Sequence, residues 1–205
     1  MKVQYQKMLN SRPKHVAIVA MGPSKTEFTN FMENVGSWTR QPDEIWAINH
    51  ACGWCRSHKV FLMDGFIDFF QGWENYLKKH IKVPVFLPEA VKGYPQTITY
   101  PIKEVANYLQ DNWYENTISY AIAYAYFTQV ELLSMWGCDF AFVEQRKDGK
   151  ELLHIENGHA GVSWWLAKAP QYNCKLLFPQ NTTLCNLKDR KFYGYTKQPI
   201  GKEGQ

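Results

Sequence analysis

His15-Val16-Ala17-Ile18-Val19-Ala20-Met21-Gly22-Pro23-Ser24-Lys25 decides the architecture of this chain. After the histidine come five apolar residues without a charge, and Gly-Pro closes the run two positions later. A strand with no polar face has to be covered on both sides, as an inner strand of a parallel sheet is. The turn then hands its backbone amides to whatever sits over the start of the following helix, a position suited to a phosphate. Gly22, Pro23 and Ser24 are therefore the first candidate nucleotide contacts, and a plain strand-to-helix turn is the alternative. Neither the Gly-Lys-Ser of a P-loop nor the second and third glycines of a dinucleotide fingerprint follow.

Outward from this strand, five more apolar runs read as strands: Glu44–Asn49, Lys59–Met63, Val83–Leu87, Glu131–Trp136 and Cys174–Phe178. Helical patterns cover Lys25–Asn34, Phe66–Lys79, Ile102–Trp113, Thr117–Thr128 and Val162–Ala169. Strands alternating with helices predict an α/β fold, with a mainly parallel sheet of about six strands and helices on both faces. Ligands of such sheets bind beyond the carboxyl ends of the strands. There the sequence puts Gly22-Pro23-Ser24, Asn49-His50, Asp64-Gly65 and Gly137-Cys138-Asp139. These small, polar or acidic residues suit a pocket floor.

The chain has 205 residues, 45% hydrophobic and 20% charged, which fits one domain with a full core. Aromatic residues make up 16%, eight of them Trp, and the expectation is an aromatic-rich core. A net charge of +4 is too small to argue for a nucleic-acid partner. Part of it sits near the end of the chain, in Lys188, Arg190, Lys191, Lys197 and Lys202. The expected division is a domain over 1–188, with a lid loop at about 143–160, and a basic tail over 189–205. No apolar leader opens the sequence, and the longest apolar stretch, Ile118–Val130, is too short to cross a bilayer. The five Cys are odd in number and scattered, which predicts reduced thiols and a cytoplasmic protein with no membrane partner.

Several constellations could carry chemistry. Asp64 closes the third strand, where a carboxylate suits a divalent metal, a ribose hydroxyl or a helix cap. Asn116, Thr117 and Ser119 open an aromatic, Ala-rich helix, either as caps or as contacts to a phosphate or base. His154, Glu156 and His159 lie close together before a helix. A histidine is the usual general base for an acceptor hydroxyl, and Glu156 could orient one or bind a sugar hydroxyl. Cys52 and Cys55 form a C-x-x-C flanked by His50 and His58. No second pair supports zinc, so buried free thiols are expected there.

The order of these pieces resembles a known family. An apolar strand leads to Gly-Pro-Ser, a second strand ends in Asn, and a polar helix start precedes a strand ending in Gly-x-Asp-Phe. A Gly-His follows, and a last strand ends in Pro before a Thr-Leu segment. Val16–Ser24, Glu44–Asn49, Thr117–Phe140, Gly158–His159 and Lys175–Leu184 resemble the bacterial sialyltransferases that have a single Rossmann-like domain and a lid. The pattern is also similar to archaeal hydroxymethylpterin diphosphokinases, flagellin-glycosylation accessory factors and small phage-encoded proteins. The resemblance implies that Gly22, Pro23 and Ser24 hold the nucleotide phosphate and that Asn49 touches ribose or phosphate. Thr117 or Ser119 would line the site, and His159 would be the base, with His154 its rival. In the diphosphokinase branch Asp64 would take Mg²⁺, the one cofactor implied. Ala141 stands where the sialyltransferases carry a Tyr. The implied function is a transferase for a nucleotide or nucleotide-sugar, with glycosyl transfer to a hydroxyl leading. Mg²⁺-dependent diphosphate transfer and a non-catalytic nucleotide binder are the alternatives.

Overall fold

The computed structural model describes residues 12–34, 41–64, 80–140 and 149–184. The expected helix at Phe66–Lys79 and the basic tail lie outside them. Seven strands form one sheet: β1 (His15–Val19), β2 (Glu44–Ile48), β3 (Lys59–Phe61), β4 (Val85–Leu87), β5 (Thr97–Thr99), β6 (Leu132–Trp136) and β7 (Lys175–Leu177). Their order is β5-β4-β3-β2-β1-β6-β7, and every neighbouring pair is parallel. The chain thus builds outward from β1 in one direction, then crosses back to add β6 and β7 on the other side.

β1 is buried along its whole length, as its sequence requires. It pairs with β2 through Val16↔Glu44 to Val19↔Ala47 and with β6 through His15↔Leu132 to Val19↔Trp136. Successive residues face opposite sides of a strand. Val16, Ile18 and Ala20 accordingly join one core cluster, while Ala17 and Val19 join another. The first cluster is covered by α2 (Ile102–Leu109), α3 (Thr117–Phe127) and α4 (Gly149–Ala167), the second by α1 (Thr26–Glu33) and the turn after β2. Helices on both faces are thus observed.

α3 is the central helix. Ala121 to Phe127 are all buried, so it is apolar all round, as a helix enclosed by a sheet and two neighbours has to be. Two tyrosines bury their rings and satisfy their polar ends against it: Tyr126 of α3 donates to the Trp165 carbonyl (2.9 Å), and Tyr100, just before α2, donates to the Tyr120 carbonyl of α3 (2.9 Å). Phe61, Phe86 and Tyr124 pack together with ring centres 5.0–5.7 Å apart, Phe61 stacked on Phe86 and edge-on to Tyr124. Most aromatic rings described here belong to the core, as expected.

Four expectations change. The sheet has a seventh strand, β5, whose Thr97-Ile98-Thr99 lies close to Pro95 and Pro101 and extends the sheet by three residues only. Its β-branched run was the available signal. α2 stops at Leu109 and not at Trp113, because Gln110 adopts a left-handed conformation (φ 52°) and the Asp111 side chain accepts from the Trp113 amide (3.1 Å). The 3-10 turn Pro23–Lys25 precedes α1. Finally, α4 begins at Gly149, so residues 149–160, expected as lid loop, are helical. Gly149, Asn157, Gly158 and Gly161 weaken the helical pattern of the sequence. Packing overrides that weakness, because Gly158 and Gly161 let α4 lie close against Asn116, Phe140 and Glu115.

Candidate active site

The strand ends meet where β1 and β6 part. Gly22 donates its amide to the Gly137 carbonyl (2.7 Å), and the Gly137 amide donates to Ser24 Oγ (2.9 Å). A Cβ on Gly22 would stand 2.6 Å from the Gly137 oxygen; one on Gly137, whose φ is +64°, would stand 2.3 Å from the Ala20 oxygen. No side chain fits at either position. The buried Asp139 carboxylate then closes the junction. Its Oδ2 accepts from the Ser24 amide (2.7 Å), and its Oδ1 accepts from Thr182 Oγ1 (3.2 Å) and the Thr183 amide (3.1 Å).

Gly22, Pro23 and Ser24 thus hold a group of the chain itself. The turn does cradle an anion, and that anion is the chain's own Asp139. Pro23 has no amide to give, the Lys25 amide bonds to the Gly22 carbonyl (3.1 Å), and the Ser24 hydroxyl is spent on Gly137. The turn fastens β1, β6 and the segment after β7 to one another.

The N-terminus of α3 lies at the same edge of the sheet, beside the residues that follow β3. Parallel strands rise to this edge, and α3 runs back down from it. Asn116 is the N-cap: its Oδ1 accepts from the Ser119 amide (3.0 Å) and the Ser119 hydroxyl (3.3 Å). Ser119 is wholly buried, which makes it part of the cap. On the β2–β3 side, Asp64 Oδ2 accepts from Asn49 Nδ2 (2.8 Å) and Thr117 Oγ1 (3.3 Å), and the Met63 amide reaches Thr117 Oγ1 (3.4 Å). Asn49 has a left-handed backbone (φ 51°), and its Oδ1 is buried without a hydrogen bond among the described residues. Asn49, Asp64 and Thr117 were three separate candidates in the sequence. They form one cluster.

On the α4 side, Asn116 Nδ2 donates to the Gly158 carbonyl (2.8 Å). The next residue, His159, is half-buried and meets Phe140 edge-on, with ring centres 5.5 Å apart. Its ring takes no hydrogen bond among the described residues. Glu156 lies on the same helix and is exposed. The His154 backbone is helical, and its side chain lies outside the described part. One helix start therefore gathers an Asn-Asp-Thr cluster on one flank and a histidine on the other. The macrodipole of α3 favours negative charge between them.

The C-x-x-C forms no disulfide. Cys52 and Cys55 are free thiols on the turn after β2, and the Ile45 amide donates to His58 Nδ1 (3.0 Å). Among the described residues no group of three His, Cys, Asp or Glu could hold a metal. Burial pushes the Cys52 thiol up from 9.0 to about 11 and the Cys55 thiol up to about 12, the latter with help from its neighbour. Raised values favour the protonated fold. That stability is complete below pH 9.0 and is lost as the pH climbs through about 11 and 12. Two results are expected: slow labelling of both thiols by a disulfide reagent at neutral pH compared with the denatured chain, and a smaller alkaline loss of stability in a Cys52→Ala, Cys55→Ala double variant. A recess of about 390 Å³ lies nearby, on the α1 face of the sheet, between Phe28, Met32, Trp54 and Cys55.

No protein-family model matches the sequence, and no curated protein matches it. Among solved structures, the fold is similar to that of the sialyltransferase CstII from Campylobacter jejuni in complex with the substrate analogue CMP-3FNeuAc. The TM-score is 0.50 at 15% identity, and 84% of each chain is covered. At that identity the likeness speaks for the fold. Among the described residues no helix is long and apolar enough to cross a membrane.

Proposed function

We propose that this chain binds a nucleotide-sugar and transfers its sugar to a hydroxyl acceptor. The observation that carries the proposal is the Asn116 bridge: one side chain caps α3 and holds the α4 backbone one residue before His159. A helix start for the donor phosphate and a base for the acceptor are thereby fixed to each other. The acceptor hydroxyl gives its proton to the His159 imidazole as its oxygen bonds to the anomeric carbon of the donor. The bond from that carbon to the phosphate oxygen breaks, and its electron pair leaves with the nucleotide. The negative charge gained by the phosphate faces the α3 N-terminus, which is already oriented to receive it. The glycosyltransferase likeness of the fold supports this reading.

The analogue named for the structural neighbour makes a CMP-linked sugar the first test ligand. Calorimetric titration with CMP and with CMP-, UDP- and GDP-sugars is expected to find one nucleotide class that binds and raises the melting temperature. With a hydroxyl acceptor added, mass spectrometry is expected to detect sugar transfer. Tight binding without product in any donor–acceptor pair favours a nucleotide binder, and no binding at all overturns the proposal.

A further inference from the structure

We propose that the Lys25 ammonium is the counter-charge for the phosphate that departs in the sugar transfer; the inference rests on that reading of the function. The need for a cation follows from the charges. While the sugar is attached, the phosphate next to it is linked on both sides and carries a single negative charge. When the bond to the anomeric carbon breaks, the electron pair stays on the phosphate oxygen, and the phosphate that leaves carries about −1.5 to −2 at pH 7. A helix start offers about half an elementary positive charge. At α3 even that is offset, because the Asp64 carboxylate accepts from Thr117 Oγ1 in the first turn (3.3 Å). The helix alone does not balance the leaving group.

Lys25 stands on the other flank of the same strand ends. β1 and β2 are paired up to Val19↔Ala47, so Met21 and Asn49 lie two residues further along neighbouring strands, which run about 4.8 Å apart. Asn49 is tied through Asp64 to the start of α3. On the β1 side, Lys25 Nζ lies 3.4 Å from the Met21 carbonyl oxygen and 4.0 Å from the Met21 sulfur. A phosphate over these strand ends has α3 on one flank and the ammonium on the other.

The side chain is held in place, and its charge is not spent. Ser24, the residue before it, is buried and fastened by its amide to Asp139 and by its hydroxyl to Gly137. The stem of Lys25 packs on Gly137, where a Cβ would stand 2.8 Å from the Lys25 Cβ. The ammonium lies 5.9 Å from the centre of the Trp54 ring. Lys59 and Lys168, the other partly buried lysines with a close polar contact, each sit on a carboxylate, of Glu44 and Asp111. No carboxylate pairs with Lys25 among the described residues, and its contact to the Met21 carbonyl is a long one. An ammonium has three N–H donors, so at least two stay available for phosphate oxygens, at a position the turn has already fixed.

The test compares the full-length chain with Lys25→Met, which keeps the stem and loses the charge, and Lys25→Arg, which keeps the charge. Each is titrated calorimetrically with inorganic pyrophosphate, CMP and a CMP-linked sugar, and circular dichroism checks the fold. Lys25→Met is expected to bind pyrophosphate and CMP at least about tenfold more weakly, and the CMP-linked sugar, whose phosphate carries less charge, only about threefold more weakly. Lys25→Arg stays within about threefold of the unaltered chain for all three. The transfer rate of Lys25→Met falls about 10²-fold, with the donor KM within about threefold, because the charge is needed most as the phosphate leaves. Equal weakening of all three ligands means that the stem merely supports the turn, and it overturns the role of the charge. Unchanged CMP and pyrophosphate affinity in Lys25→Met overturns it as well, and full transfer by that variant leaves the transferase reading standing. If the unaltered chain binds none of the three, the role of Lys25 falls. If the charge-selective loss is found but no sugar is transferred, the lysine holds a phosphate and the transferase reading fails.

Discussion

Replacing His159 by Ala is expected to lower the rate of the proposed sugar transfer by about 10²- to 10⁴-fold, the usual contribution of a positioned general base. Nucleotide affinity is expected to change by less than about threefold, because the proposal puts the donor phosphate at the α3 N-terminus and not at the imidazole. The split between the two readouts is the test. His159 packs edge-on against Phe140 without a hydrogen bond among the described residues, so its removal leaves no buried partner unsatisfied. A destabilised site would lose affinity and rate together. His159→Gln keeps size and hydrogen bonding without a base and is expected to be as slow as Ala. Full transfer activity in both variants sinks the assignment of His159, and loss of nucleotide binding in both shows a structural role. Glu156, exposed on the same helix, is the control: Glu156→Gln leaves the rate within about threefold if it does not orient the base.

The fold was legible because its central strands obey one simple rule. His15–Val19 and Leu132–Trp136 carry no outward-facing polar stripe, and only a sheet covered on both faces accepts such runs. The aromatic helix Thr117–Phe127 announced its burial in the same way. Where tertiary contacts decide, the sequence was silent. β5 is three residues long and gains its order from Leu87 and its neighbours. The start of α4 carries glycines that lower helix propensity, and those same glycines allow its close packing on Asn116 and Phe140. A residue pattern read along one segment cannot contain a contact made 42 residues away, as between Asn116 and Gly158.

The site was legible in its parts and not in its arrangement. Asn49, Asp64 and Thr117 each follow a strand or open a helix, so the rule about strand ends finds them one at a time. Their convergence on one carboxylate oxygen depends on where α3 crosses the sheet. The Gly-Pro-Ser turn shows the opposite case. Its Ser24 amide does bind a carboxylate, and the chain supplies that group from the end of β6. Gly137-Cys138-Asp139 was visible as a strand-end segment; that its acid points back into the first turn was not.

Asp139→Ala is therefore expected to be the most damaging single change among these residues. The carboxylate is buried and accepts from the Ser24 amide, the Thr182 hydroxyl and the Thr183 amide, so its loss strands donors from two other segments. Hydrogen bonds to a charged group are worth about 1.5–3 kcal/mol, and an unpaired buried donor costs a further 1–3 kcal/mol or so. A net loss of about 4 kcal/mol corresponds to a fall in melting temperature of about 8–16 °C for a chain of this size. Asp139→Asn keeps one acceptor for Ser24 but turns its amide nitrogen toward the Thr183 amide, two donors face to face. Its fall is expected to be about half as large. The order Ala worse than Asn, worse than the unaltered chain, distinguishes a hydrogen-bonding keystone from simple space filling, because Asn preserves the volume. Thermal unfolding read by circular dichroism measures it. A melting temperature within about 2 °C of the unaltered chain for Asp139→Ala means that the first turn holds itself and that the Ser24 amide is open to a ligand phosphate after all.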